Sequence, residues 1–144
     1  MALQHRRPER KPVQLRHAMD ELKGRVAIVT GAASGIGRSV AELFVREGAA
    51  GLTLADIQAS LLQTVASGLR NDCGCDLLVS ETDVSEPDQV DRMVQATAER
   101  FGRIDILVNN AGICPMVPWD RTTLESWNRM LSVNLTSAFL CSKA

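Results

Sequence analysis

The sequence lacks tyrosine altogether, and aromatic residues make up only 3% of its 144 positions. It also lacks a charge imbalance, since its formal net charge of −1 favours neither nucleic acid nor a membrane surface as a partner. No apolar run approaches a membrane span, and no signal-peptide core lies near the N-terminus. Of the four cysteines, only Cys73 and Cys75 lie close together, without zinc-site spacing. We therefore expect a cytoplasmic protein with reduced thiols and no metal.

What is present divides the chain into two parts. The first 18 residues are basic: they contain one acid, Glu9, and five cations, which are Arg6, Arg7, Arg10, Lys11 and Arg16. We predict that residues 1–23 form a basic, disordered leader. Residues 24–144 are predicted to form one domain, because 45% of the sequence is hydrophobic and can fill a core. A transit peptide and a translation start at Met19 are the alternatives for the leader.

The segment Thr30–Gly37 reads T-G-A-A-S-G-I-G and lies between an apolar run and the start of a helical pattern. This order indicates a strand, a glycine turn and a helix. Its glycines, Gly31, Gly35 and Gly37, would allow a tight reversal, close approach to a pyrophosphate and close helix–strand contact. Free N–H groups and the helix dipole favour an anion at the helix start. An ordinary strand-to-helix turn is the alternative, because a glycine motif alone is weak evidence.

Strands and helices alternate through the rest of the domain. The predicted strands cover 26–30, 52–56, 77–80 and 104–109, and the predicted helices cover 35–47, the region around 61–69, the residues after Ser85 up to 101, and 122–142. Single helices between strands predict parallel pairing through right-handed crossovers. The sequence thus predicts a doubly wound α/β sheet with strand order 3-2-1-4, ending after the fourth strand and its following helix. A ligand is expected across the carboxyl ends of the strands.

Side-chain patterns predict how two of the helices begin and pack. Four apolar residues at helical spacing predict the buried face of the first helix: Ile36, Val40, Leu43 and Phe44. Ser85 is predicted to cap the third helix, with Asp88 completing a capping box.

Acidic side chains at two predicted strand ends suggest contacts with a nucleotide. Asp56 ends the second strand, where a carboxylate can accept hydrogen bonds from both hydroxyls of an adenosine ribose. Its charge would repel a 2′-phosphate and so favours NAD over NADP, although Arg38 on the first helix could accept that phosphate. A helix N-cap is the alternative role of Asp56. Asp83 could accept from the adenine amine while Val84 packs on the ring, or could be an ordinary loop aspartate.

The fourth strand closes on Asn109-Asn110-Ala111-Gly112, where small residues leave room for a flat cofactor, although a plain Asn/Gly turn has the same composition. Together with T-G-A-A-S-G-I-G, Asp56, Asp83-Val84 and Asn134 in S-V-N-L, this segment resembles, in order, the motifs of the classical short-chain dehydrogenase/reductase family over residues 24–144. The resemblance implies a Rossmann fold, a nicotinamide dinucleotide, and hydride transfer between an alcohol and a ketone.

The resemblance also implies roles for individual residues. It places the pyrophosphate against Gly31, Ser34, Gly35, Ile36 and Gly37. It places the ribose at Asp56, the adenine at Asp83 and Val84, and the length of the cofactor along Asn109, Ala111 and Gly112. It makes Asn134 the catalytic-site asparagine, which holds a proton-relaying water. Without the resemblance, Asn134 would be an ordinary helix-interior residue.

The sequence departs from the family at the group that transfers the proton. The family uses a tyrosine, a lysine four residues later and a serine, on a strand and helix that follow the asparagine helix. This chain has no tyrosine, and Phe139–Lys143 only imitates the spacing, so no catalytic role is expected for Lys143. Loss of a general acid–base group typically removes ~10²–10⁴-fold in rate. We therefore expect the N-terminal part of an NAD-dependent dehydrogenase, inactive by itself, that acts on a small alcohol or ketone only in a full-length form.

The alternative is a non-catalytic short product that binds NAD or forms dimers. In the family the helix corresponding to 122–142 often makes the dimer contact, and here it carries Trp127 and Leu131. The strand edge at 106–108 would lack a covering fifth strand. We expect these apolar surfaces to make the chain weakly stable and prone to aggregation.

Overall fold

The computed structural model describes residues 21–70 and 74–144. The prediction of a disordered leader lies outside these ranges up to residue 20, as does the alternative start at Met19. The predicted thiol state of Cys73 also falls outside them.

The residues just before the first strand contact the domain. The Leu22 N–H donates to the Glu47 carbonyl oxygen at 3.1 Å, and Lys23 forms an isolated antiparallel bridge with Ala49. Leu22 and Lys23, which the sequence assigns to the leader, are therefore held against the folded domain.

Four strands form one parallel sheet with the order β3-β2-β1-β4, which confirms the predicted topology. The strands are β1 (Val26–Thr30), β2 (Gly51–Asp56), β3 (Asp76–Glu81) and β4 (Ile106–Val108). Strand β4 is shorter than predicted because it pairs only with β1, over three residue pairs from Ala27–Ile106 to Val29–Val108. All four strands end at the same edge of the sheet.

Helices connect and follow the strands. They are α1 (Gly35–Arg46), α2 (Ala59–Arg70), α3 (Pro87–Phe101), a 3-10 turn (Trp119–Arg121), α4 (Leu124–Leu131), a π-helix (Ser132–Thr136) and α5 (Ser137–Lys143). The last three replace the single helix predicted over 122–142. Helix α4 begins with a capping box in which the Thr123 hydroxyl accepts from the Ser126 N–H and the Ser126 hydroxyl accepts from the Thr123 N–H.

The sheet is covered on both faces, as expected for parallel strands that are apolar throughout. Val29 and Leu54 belong to the core cluster under α1 and α2. Ile28 belongs to the opposite cluster, which it shares with Met93 of α3 and Cys141 of α5. These two layers do not cover the strand ends, where a cleft lies.

The buried face of α1 matches the predicted one in part: Val40 and Phe44 pack against the core, but Ile36 and Leu43 do not. Ile36 is 76% exposed and Leu43 is 44% exposed, whereas Gly37 and Ala41 are buried. A Cβ at Gly37 would lie 2.1 Å from the carbonyl oxygen of Gly31, so α1 contacts the preceding turn through its glycine. Ile36 is thereby left on the ligand side of the helix.

The prediction that Ser85 caps α3 is wrong. The residue in the N-cap position is Glu86, and no side chain caps the helix. The Ser85 hydroxyl instead donates to the Asp83 carboxylate at 2.6 Å. A charged acceptor two residues away forms the stronger hydrogen bond, so the hydroxyl is not available to the helix.

The last helical stretch leaves a row of apolar side chains exposed, here called the α4–α5 stripe: Leu124, Trp127, Leu131, Leu135 and Phe139. Its opposite side is buried through Val133, Ser137 and Cys141. Within the two described ranges, no helix is long and apolar enough to cross a membrane.

Candidate functional site

A cleft of about 330 Å³ opens at the carboxyl ends of the strands. It is lined by Gly31, Ser34, Gly35 and Ile36 after β1, by Asp56, Ile57 and Gln58 after β2, by Thr82, Asp83 and Val84 after β3, by Asn110, Ala111, Gly112 and Ile113 after β4, and by Arg129 and Val133. The structure thus brings most of the predicted site residues together. Gly37, Asn109 and Asn134 support the cleft without lining it.

The turn after β1 is built for an anion. Gly31 and Gly35 have φ values of +69° and +54°, which residues with a Cβ rarely adopt. Ser34 is the N-cap of α1, but its side chain makes no capping hydrogen bond. The first N–H groups of α1 therefore have no acceptor within the helix and are available to a phosphate group in the cleft. Ile36 lies beside them on the cleft surface.

Asp56 lies at the end of β2 and is buried, with 8% of the residue exposed. One carboxylate oxygen accepts from the Ala33 N–H at 3.0 Å and the other from the Gln58 N–H at 2.9 Å. Helix α2 begins only at Ala59, so Asp56 is not its N-cap. Each carboxylate oxygen keeps acceptor capacity toward the cleft, and the two backbone donors fix its orientation.

Arg38, the residue considered above as an acceptor for a 2′-phosphate, forms an ion pair with Glu42. Its Nε donates to the Glu42 carboxylate at 2.7 Å, one helical turn further along α1. Arg38 is not among the residues that line the cleft. The arginine is thus paired with an exposed acid on its own helix, outside the cleft.

The Asp83 carboxylate is held by two other residues. One oxygen accepts from the Ser85 N–H at 3.0 Å and from its hydroxyl at 2.6 Å. The other accepts from the Arg129 guanidinium at 2.8 Å, and a second nitrogen of the same guanidinium donates to the Ser85 hydroxyl. Partial burial raises the pKa of Asp83, but the hydrogen bonds from Ser85 and Arg129 outweigh it and hold the pKa below its ordinary value.

Arg129 is the one charged residue of the cleft that the sequence did not indicate. It lies on α4, 46 residues after Asp83, and reaches the cleft only because α4 folds back over the strand ends. No local spacing marks such a contact. Local spacing instead suggests an ion pair with Glu125, four residues earlier on α4, so the sequence pointed away from Asp83.

The segment after β4 is pinned to the end of β1. The Asn110 and Ala111 N–H groups both donate to the Thr30 hydroxyl, at 3.0 and 3.1 Å. The Asn110 amide also donates to the Thr30 carbonyl oxygen at 3.0 Å. These bonds fix the floor of the cleft where β1 and β4 meet.

Asn109 and Asn134 connect that floor to the last helices. The Asn109 amide donates to the Ser142 hydroxyl at 3.2 Å. In the π-helix, the Asn134 amide accepts from the Ile113 N–H and donates to the Ile113 carbonyl, both at 2.8 Å. Asn134 thus orders the chain just after Gly112, whose added Cβ would lie 3.3 Å from the Asn134 amide oxygen.

A sequence model of the family described as "short chain dehydrogenase" matches residues 25–144. This chain is a member of that family. The match covers every element that lines the cleft, so the glycine turn, the acidic strand ends and the pinned floor belong to a short-chain dehydrogenase.

Named relatives agree with this assignment. D-threitol dehydrogenase from Mycolicibacterium smegmatis is 38% identical over 123 residues, which are 85% of this chain and 46% of that protein. Tropinone reductase-like 2 from Erythroxylum coca is 44% identical over 126 residues, which are 85% of this chain and 44% of that protein. The chain spans about half the length of the curated relatives it matches.

Solved structures of short-chain dehydrogenases have the same architecture. A 3-ketoacyl-(acyl-carrier-protein) reductase from Brucella melitensis, complexed with NADH, superposes with a TM-score of 0.77 at 33% identity and covers 85% of this chain and 49% of its own. A putative short-chain alcohol dehydrogenase from Sinorhizobium meliloti gives a TM-score of 0.80 at 32% identity, over 88% of this chain and 49% of its own.

Proposed function

We propose that the cleft binds NAD and that this domain is the cofactor-binding part of an oxidoreductase that transfers hydride between NAD(H) and an alcohol or ketone. The observation that supports the proposal is the convergence, in one cleft, of uncapped helix N–H groups and an oriented, buried carboxylate. Nicotinamide dinucleotides are what members of this family bind, and one structural neighbour is complexed with NADH.

The proposal assigns each part of the cleft to one part of the cofactor. Gly31, Ser34, Gly35 and Ile36 receive the pyrophosphate, and Gly37 keeps α1 close enough for its N–H groups to reach it. Asp56 accepts from the ribose hydroxyls, Asp83 and Val84 border the adenine, and Asn109, Ala111 and Gly112 lie along the nicotinamide half. Except for Gly37 and Asn109, which support the cleft from behind, all of these residues line it.

NAD is favoured over NADP by two features of the site. The Asp56 carboxylate is buried and oriented, so a 2′-phosphate beside it would meet a negative charge in a partly desolvated position. Arg38, which could offset that charge, is paired with Glu42 at 2.7 Å. A dinucleotide with two free ribose hydroxyls satisfies the carboxylate without repulsion.

The reaction class follows from the family and from the names of its relatives, which include D-threitol dehydrogenase and tropinone reductase-like 2. When bound, the nicotinamide ring supplies or accepts the hydride. The proposal gives this chain the task of binding and orienting the cofactor and gives Asn134 the proton-relay role; in the structure the Asn134 amide holds the Ile113 backbone. We assign proton transfer to no residue of this chain, since it has no tyrosine and Lys143 does not line the cleft, and expect negligible turnover by the chain alone.

A second candidate function is pairing with another copy, without catalysis, through the α4–α5 stripe. The exposure of Trp127 at 43% and Leu131 at 39% supports it, because side chains of this size are rarely left exposed in a row. Sedimentation of the parent and of Leu131→Glu would test it. A concentration-dependent dimer that dissociates in the variant would support pairing, and a monomeric parent would exclude it.

The proposal is tested by titrating the chain with NAD and NADP in a calorimeter. We expect NAD to bind more tightly than NADP. The change Asp56→Asn should lower the affinity for NAD by about tenfold, because each charge-assisted hydrogen bond contributes ~1–3 kcal/mol, and should reduce the ratio of NAD affinity to NADP affinity. Asp91→Asn is the matched control, since Asp91 is an exposed aspartate on α3 away from the cleft. Tighter binding of NADP, or no binding of either dinucleotide by a folded parent, would overturn the proposal.

A further inference from the structure

We propose that Arg129 is a positioning residue that holds α4 over the cleft and couples this helix to the adenine end of the bound dinucleotide. The inference rests on the proposed NAD function and goes beyond it, because it predicts that adenine recognition depends on a residue of α4. It starts from a triangle of hydrogen bonds formed by Arg129, Asp83 and Ser85, here called the Arg129 clamp.

The geometry of the clamp is bidentate. One guanidinium nitrogen donates to an Asp83 carboxylate oxygen at 2.8 Å, and another donates to the Ser85 hydroxyl. That hydroxyl in turn donates to the second Asp83 oxygen at 2.6 Å. A planar fork that meets two acceptors at once defines an orientation, which a single ammonium group cannot do.

The clamp matters because α4 has little else to hold it. No residue of α4 is buried, and three members of the exposed α4–α5 stripe lie on this helix. Burial of apolar side chains is what normally fixes a helix on its neighbours. Here a polar contact from Arg129 to the β3 end takes that place, while the Asn134–Ile113 pair anchors the π-helix that follows.

The same contact orients the adenine end of the cleft. Asp83 and Val84 line the cleft directly, and the Asp83 N–H is already satisfied by the Gln89 side chain at 2.9 Å. The carboxylate is thus the polar group that remains for the adenine at this position, and Ser85 and Arg129 orient both of its oxygens. Loss of the guanidinium would free one Asp83 carboxylate oxygen and would also release α4. The orientation of Asp83 and the position of α4 are therefore linked.

The test compares ligands that contain adenine with one that does not. We would titrate the parent, Arg129→Gln and Arg129→Lys with NAD, AMP and nicotinamide mononucleotide. Arg129→Gln should weaken NAD and AMP by a common factor of about fivefold, the size expected for a partly exposed charge-assisted pair. Nicotinamide mononucleotide should bind equally to parent and variant. The NAD affinity of Arg129→Lys should lie between those of the parent and Arg129→Gln, because lysine keeps the positive charge but lacks the forked guanidinium.

A matched control and a second readout separate positioning from general stability. Arg92→Gln removes an exposed helical arginine of α3 that does not line the cleft, and it should change no affinity. By hydrogen exchange, NAD should protect the amides of residues 124–131 in the parent and not in Arg129→Gln. In a protein that already carries Asp83→Asn, adding Arg129→Gln should cause no further loss of NAD affinity.

The outcomes are distinguishable. If the parent binds NAD and AMP and Arg129→Gln binds them equally well, the positioning role is refuted while the proposed function stands. Equal weakening of all three ligands would also refute it, because it would indicate a general loss of structure. If the parent binds no dinucleotide, the proposed function fails and the coupling to adenine fails with it. Hydrogen exchange in the two unliganded proteins would then still decide whether Arg129 holds α4.

Discussion

Replacing Gly37 with alanine should damage the fold and the cleft together. An added Cβ would lie 2.1 Å from the Gly31 carbonyl oxygen and 2.7 Å from its carbonyl carbon. Ordinary contact begins at 3.4 Å, so the carbonyl oxygen would have to retreat by about 1.3 Å (3.4 minus 2.1). The Gly31 carbonyl is backbone, and the Asn110 amide nitrogen, 2.5 Å from the added Cβ, is itself bonded to the Thr30 carbonyl oxygen, so α1 must move away from the turn after β1.

The size of the effect follows from two opposing contributions. Overpacking a tight contact costs ~1–3 kcal/mol, and a backbone obstacle favours the upper end. Alanine regains ~0.5–1 kcal/mol of helix propensity over glycine. We expect a net loss of ~1–2 kcal/mol in the free energy of unfolding, which corresponds to a fall in Tm of about 4–8 °C for a domain of this size.

Thermal unfolding and NAD titration would measure the two consequences of Gly37→Ala. The displaced helix start should weaken NAD by about tenfold or more, since misplacement by ~1 Å is costly at a binding site. Gly68→Ala is the matched control. Gly68 is a helical glycine of α2 with nothing within 4 Å of the added Cβ, and this change should raise stability by ~0.5–1 kcal/mol. Unchanged Tm and unchanged NAD affinity in Gly37→Ala would refute the reasoning.

Two further predictions concern the body of the fold. Hydrogen bonds from Arg103 and the Val26 N–H lower the pKa of Asp105 from 3.8 to about 2. Its contribution to stability is therefore complete above pH 3.8 and is lost as the pH falls toward 2. Asp105→Asn should lower the free energy of unfolding at neutral pH and should reduce its dependence on pH between 3.8 and about 2. An unchanged dependence of stability on pH would contradict this. In the core, Thr97→Val should cost ~1–3 kcal/mol, because the buried Thr53 hydroxyl, 2.8 Å from the Thr97 hydroxyl, loses its partner. The Thr53→Val/Thr97→Val pair should cost less than Thr97→Val alone, as chemical denaturation would show.

The sheet order and the position of the cleft could be predicted from the sequence because both depend on local patterns. Apolar runs separated by single helices restrict the topology, and parallel strands all end at one edge. The glycine turn and Asp56 follow directly on strands whose ends were correctly placed. Their grouping in one cleft is therefore a consequence of the alternation itself.

The features that were mispredicted depend on contacts distant in sequence. Periodicity placed Ile36 in the core, but the contact between Gly37 and Gly31 sets the rotation of α1 instead. The Ser85 hydroxyl was predicted to cap a helix, but it donates to the Asp83 carboxylate. The Arg129 contact spans 46 residues and leaves no trace in local spacing.

The interruption of the last helix could not be predicted either. Leu131 and Leu135 fit one continuous helical pattern, yet a π-helix occupies Ser132–Thr136. Within it, Asn134 exchanges two hydrogen bonds with the Ile113 backbone, a contact made across 21 residues. A side-chain pattern alone does not distinguish a helix with such an insertion from a regular one.

The most direct test of the dinucleotide cleft is a titration of isotope-labelled protein with NAD, followed by NMR. We predict saturable shifts of the amide signals of residues 31–37, 56–58, 82–84 and 110–113, with weaker effects from NADP. Amides of the groove between α1 and α2, around Thr64 and Gly68, should stay unshifted. A folded protein whose cleft amides do not respond to NAD, or whose shifts lie in that outer groove, would contradict the assignment of the cleft.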